Sequence, residues 1–151
     1  PWDKDWLHLM SFVAIGNNPL REQFSNLEYH FINVIHTTAQ IGTARCLGTY
    51  FAANSYVGNN TTVGNFCIIN TGSVIEHDCS VGDFTHVAPG AVMGGRCRVG
   101  SRCFLGIGAM IKDGVSIGDN VVIGMGSVLL EDAPDNTVWY GNPARLQKEI
   151  K

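Results

Sequence analysis

Two histidines and an aspartate fall within ten residues in a chain with few charges: His77, Asp78 and His86. A histidine exchanges its proton near neutral pH, and a carboxylate beside it raises its basicity and orients its ring. Such a pair can take a proton from an amine or a hydroxyl, which is what acyl transfer to either acceptor needs. The plainer alternative is three solvated corner residues, and spacing alone does not separate the two readings.

What must position these residues is a period of six. Every sixth residue from Phe51 to Leu129 is apolar, giving 14 anchors without a gap, among them Ile75, Val81 and Val87 around the histidines. Four residues after each of the first 13 anchors stands a small or β-branched side chain, from Ser55 through Cys79 to Ser127. A helix would need apolar residues at three and four, and its glycines would cost about 1 kcal/mol each. A meander of hairpins would turn every 8–12 residues. A strict six fits one short side with an inward anchor, a tight bend and a small inward slot, each unit burying its apolar face against its neighbours. The pattern resembles the hexapeptide repeat, which implies an all-β fold: a left-handed parallel β-helix with three sides per coil. The hand comes from that resemblance, since the general crossover rule gives the opposite one. Fourteen sides make four to five coils, a prism roughly 22 Å tall at ~4.8 Å per layer. His77, Asp78 and His86 occupy neither anchors nor inward slots, so they project outward or sit at corners.

The 151 residues suit one domain with a small addition. A net charge of −3 with no basic block argues against a nucleic-acid partner. No apolar run is long enough to span a membrane and no signal peptide is visible. Of five cysteines, Cys67, Cys79, Cys97 and Cys103 fall in the small inward slot. There they read as buried free thiols, consistent with a reducing cytoplasm.

Ahead of the hexads, residues 11–16 read as a buried strand. A helix follows to about Asn26, with Asn18 as N-cap and Pro19 at its first position. Residues 29–36 (YHFINVIH) read as a second strand. Ile41 and Leu47 keep the spacing of six but out of phase with Phe51, so GTYF (48–51) reads as a four-residue insertion. After Leu129, residues 131–136 form a loop and 138–145 a strand-like tail. The expected organisation is a partial α/β segment at 1–35, a β-helix at 36–138 and a C-terminal tail at 139–151.

The run IINTGSVIEHDCSVGDFTHVAPGAVMGG (68–95), with FVAIGNNPLR, VIH and the closing GNPAR, resembles the sialic acid O-acetyltransferase and UDP-amino-sugar N-acetyltransferase family of hexapeptide-repeat acyltransferases. The resemblance covers nearly the whole chain. It implies an enzyme that uses acetyl-CoA, without a metal, to acetylate an amino or hydroxyl group of a sugar. It gives His77 the role of general base and Asp78 that of the acid raising its basicity. His86 resembles a contact to the acyl donor near its thioester, and Gly95 a backbone N–H donor to the thioester carbonyl. Ile107 and Met125 match positions along the coenzyme A arm, Met125 standing where the family often has glycine. Gly16 matches a substrate contact; the competing reading is a strand-to-helix turn that needs glycine and a cap. The family's prism is a homotrimer with coenzyme A between neighbouring prisms. Members usually begin with a small Rossmann-like domain, of which only the tail is legible here. The GNPAR run reads as a turn that lies near the coenzyme A adenine in the family.

Two other functions share the scaffold. A metalloenzyme of the γ-carbonic anhydrase kind needs three histidines, two closely spaced, and His36, His77 and His86 do not offer that spacing. A non-catalytic trimeric assembly module needs only the repeats.

Overall fold

The computed structural model describes residues 10–27, 29–42 and 46–151. From Val34 onward the chain winds into a parallel β-helix whose strands, two residues long up to Val128–Leu129, stack in three sheets. Face one carries Val34–Ile35, Tyr50–Phe51, Ile68–Ile69, His86–Val87, Phe104–Leu105, Val122–Ile123 and Thr137–Gly141. Face two runs from Gln40–Ile41 through Val74–Ile75 and Val92–Met93 to Val128–Leu129, and face three from Thr62–Val63 to Ser116–Ile117. The ladder takes in residues on either side of the expected 36–138 span. Seven parallel rungs on face one make it ~29 Å tall, more than the hexads alone imply.

All 14 anchors and all 13 small slots are buried, none more than 4% exposed. An anchor must be large because it reaches the prism axis. The slot must be small because it sits inside a corner. The left-handed bend lies three residues after each of the first 13 anchors, at Asp78 (φ 60°), Phe84 (φ 59°) and Arg102 (φ 60°) among others. The glycines directly after anchors serve a different need. A Cβ on Gly82 would stand 2.6 Å from the Gly100 backbone, so these glycines let successive coils stack.

Coils in the middle hold 18 residues, as Ile69, Val87, Leu105 and Ile123 pair in turn. The first coil holds 16, because Ile35 pairs with Phe51 and Ile41 with Val57. GTYF is therefore no insertion; that coil is two residues short, and Leu47 is 46% exposed. The last coil is shortened likewise, Ile123 pairing with Trp139. The tail folds back from Thr137–Gly141 into an antiparallel strand, Ala144–Glu149.

The front differs from expectation in detail. Only Met10–Ser11 is strand within the first stretch, and it pairs with His30–Phe31. Residues 29–36 split into that strand and Val34–Ile35, which starts the β-helix. The helix, α1 (Asn18–Ser25), is capped one residue earlier than expected, Asn17 accepting from the Leu20 N–H at 2.9 Å. Asn18 is instead buried and donates to the Cys103 and Arg102 carbonyls, which docks α1 on the prism. Among the described residues no helix is long and apolar enough to cross a membrane.

Candidate active site

The corner that joins face two to face three carries the His77–Asp78 pair. His77 follows the Ile75 anchor by two residues, and Asp78 takes the left-handed position, which a short acidic side chain tolerates. His77 Nδ1 lies 2.7 Å from Asp78 Oδ2, and Asn60, one coil away in the same column, donates to Asp78 Oδ1 at 3.2 Å. The hydrogen bond to Asp78 raises the His77 pKa above the ordinary histidine value, and the same bond holds Asp78 below the usual carboxylate range. Both side chains are about half exposed, so the ring can reach an incoming acceptor.

One coil further along the corner stands Gly95, buried against the His77 ring. Its carbonyl accepts from Gly114 at 2.9 Å, while its N–H donates to no atom among the described residues. A proton acceptor, a carboxylate behind it and an unspent backbone donor beside it are three parts of an acyl-transfer site.

The other expected residues lie elsewhere on the chain. Ile107 and Met125 stack in adjacent coils at the corner between faces one and two, 56% and 76% exposed. His86 points outward from face one into a cavity of about 310 Å³, lined also by Phe12, Val13, Gly16, Tyr50 and Asn70. His77 does not line that cavity. Within one chain, then, the two histidines serve different surfaces, because nine residues carry the chain from one corner across a whole side to another face.

His86 is the opposite of His77 electrostatically. Burial, with Arg21 nearby, pushes its pKa down to about 4. Asn70 Oδ1 accepts from the Thr71 N–H at 2.8 Å, so the Asn70 amide group faces His86 Nε2 at 3.1 Å and donates to it. Gly16 lies at the mouth of the same cavity. Its φ is unexceptional and a Cβ there would meet nothing within 4 Å, so the local turn needs the Asn17 cap but not the glycine.

Cys67, Cys79, Cys97 and Cys103 are all free and buried. Burial raises Cys67 to about 12 and Cys103 to about 11, whereas the neighbouring Cys97 thiol lowers Cys79. Cys79 nonetheless points into the core, 2% exposed, and cannot meet a substrate. Among the described residues no three His, Cys, Asp or Glu side chains gather as a metal site would require.

Sequence reading took Asn18 only as a cap and gave Arg21 no role, yet the two dock α1 on the prism. Their signal was their spacing of three, which on a helix rises about 4.5 Å and so matches one coil of the prism.

The pattern of the family described as bacterial transferase hexapeptide (six repeats) matches residues 60–95 and 96–131. The fold is similar to that of PerB from Caulobacter crescentus, solved with CoA and GDP-perosamine. The two are 35% identical with a TM-score of 0.88, over 91% of this chain and 69% of that one. The acetyltransferase domain of PglB from Neisseria gonorrhoeae is 30% identical, with a TM-score of 0.87 over 90% of this chain and 69% of its own. WeeI from Acinetobacter baumannii is 28% identical, with a TM-score of 0.89 over 93% and 71%.

Proposed function

The chain belongs to the hexapeptide-repeat acyltransferases of the amino-sugar acetyltransferase family, and we propose that it moves an acetyl group from acetyl-CoA to an amine on a nucleotide-linked sugar, with His77 as general base. The observation that carries this reading is the corner itself: His77 braced by Asp78 at 2.7 Å, with the free N–H of Gly95 alongside. An amine acceptor is favoured over a hydroxyl because a relative with this fold is a perosamine N-acetyltransferase.

His77 accepts a proton from the acceptor as its nitrogen bonds to the thioester carbon. The carbon–sulfur bond breaks, and the proton held by His77 passes to the departing thiolate. Asp78 stabilises the imidazolium in between. The Gly95 N–H faces the carbonyl oxygen as its charge grows, a one-donor oxyanion site. No cysteine takes part, since Cys79 is enclosed.

The acyl donor is held by Gly95, Ile107, Met125 and His86 at the boundary between prisms of a homotrimer. Face two supports that assembly. Its outward side chains are apolar in five successive rungs after Gln40: Tyr56, Val74, Val92, Met110 and Val128. Face three by contrast shows Thr62, Ser80, Arg98 and Ser116, and face one is partly covered by residues 12–19. Because His77 and His86 open on different faces of one chain, a subunit boundary is needed to bring them to one ligand. Gly16 contributes to the acceptor side, from the cavity that His86 closes.

Calorimetry with acetyl-CoA tests the donor assignment. Saturable binding, weakened by His86→Ala, is the expected result; a folded trimer that binds no acetyl-CoA leaves only a role in assembly.

A further inference from the structure

Arg21 is fully buried, yet no carboxylate is paired with it among the described residues. Five neutral acceptors take its place. Its Nε donates to the Phe66 carbonyl at 2.6 Å, and its Nη1 to the carbonyls of Ile15 at 2.8 Å and Gly16 at 3.2 Å. Its Nη2 donates to Asn18 Oδ1 and to the Phe84 carbonyl, both at 2.8 Å. Phe66 and Phe84 hold the same left-handed corner in consecutive coils, so their carbonyls belong to the prism. Ile15 and Gly16 belong to the irregular segment that forms the outer wall of the His86 cavity. A single side chain thus joins wall to prism, using all the donors of a planar fork.

The wall matters to His86. Asn70 donates to Nε2, which must therefore carry no proton, so the ring proton sits on Nδ1. That atom is buried without a hydrogen-bond partner, and Gly16 lines the same cavity. The Phe104 ring packs edge-on against His86 with centroids 5.2 Å apart, and Arg21 is the charged group it faces.

We propose that Arg21 is a positioning residue: by gripping the Ile15 and Gly16 carbonyls from the prism, it holds the outer wall of the cavity over His86 and keeps that ring enclosed against Asn70, whose donation selects the neutral Nδ1–H tautomer. A lysine keeps the charge but, as a point donor, cannot span five acceptors. The role rests on the acyl-transfer reading only in that His86 serves the site; the tautomer is a property of the unliganded chain and is measured without turnover.

The test is ¹⁵N NMR of imidazole-labelled protein, with the His86 signals assigned by their loss in His86→Gln. Wild type should show a neutral ring with the proton on Nδ1, unchanged from pH 8 to pH about 5. Arg21→Lys should show averaging of both tautomers and titration close to the ordinary value of about 6.5. Asn18→Ala, which removes one acceptor of the fork, should show a smaller change in the same direction. A wild-type ring protonated on Nε2, or a folded Arg21→Lys with an unchanged tautomer, overturns the proposal. Unfolding of both variants also counts against it, since Arg21 would then hold the fold at large.

Discussion

A β-carbon on Gly95 would stand 2.8 Å from both Cε1 and Nε2 of His77. No real Cβ tolerates that distance, so the ring occupies room that only glycine leaves. The ring is thereby packed on one edge by Gly95 and tied on the other to Asp78. Gly95→Ala should push the imidazole off Asp78 while leaving the coil intact, because the backbone at 95 is not in the left-handed region. A misplacement of about 1 Å can cost 10²-fold in rate. The expected outcome is a fall in kcat of at least about tenfold at unchanged Tm, measured by thiol release and thermal unfolding. Full activity would mean that the ring position is not critical.

The Asp78 hydrogen bond raises the His77 pKa, and a general base must be neutral to act. The rate should therefore climb with pH through a midpoint above the ordinary histidine value of about 6.5. Asp78→Asn removes the anion and should move that midpoint down. A pH profile of kcat/KM for both proteins checks this; identical midpoints would detach Asp78 from the base.

His86 gives the opposite sign. Its folded pKa, about 4, lies below the unfolded value, so the unfolded chain binds a proton first as pH falls. Stability from the neutral buried ring is fully present above pH about 6.5 and is lost as pH drops toward about 4. Tm measured across that window should fall more steeply for wild type than for His86→Gln. Equal slopes would show that His86 is not buried as a neutral ring.

The exposed ladder on face two sets a further expectation. Val92 is 37% and Met110 55% exposed, in paired rungs. A carboxylate there would be desolvated without a partner if a neighbouring prism covers it. Met110→Glu should convert a trimer to monomers in sedimentation, with the secondary structure kept. A trimer that survives both Val92→Glu and Met110→Glu would move the interface to another face.

The β-helix could be read from the sequence because its rule is local. Each anchor needs only the residue six before and six after it, so Phe51 to Leu129 announced themselves, as did the inward cysteines. The corner placement of His77 and Asp78 was legible for the same reason, and their pairing followed from their being adjacent. What depends on coil length was not. The two missing residues of the first coil are visible only once Ile35 pairs with Phe51. His86 looked like a neighbour of His77 because nine residues is close in sequence, but a whole side of the prism separates them. Asn17 replaced Asn18 as cap because Asn18 found better partners in Arg102 and Cys103, 84 and 85 residues away. Arg21 was given no role, since nothing beside it in sequence shows that five carbonyl and amide oxygens would enclose it.

The account turns on His77 as the base. The most direct measurement is acetyl transfer from acetyl-CoA to nucleotide-linked amino sugars, GDP-perosamine among them, by wild type and His77→Ala at saturating donor. A rate loss of about 10²–10⁴, with acetyl-CoA binding and trimer intact, is the predicted result. A loss below about tenfold in a folded trimer would contradict it and remove His77 from the mechanism.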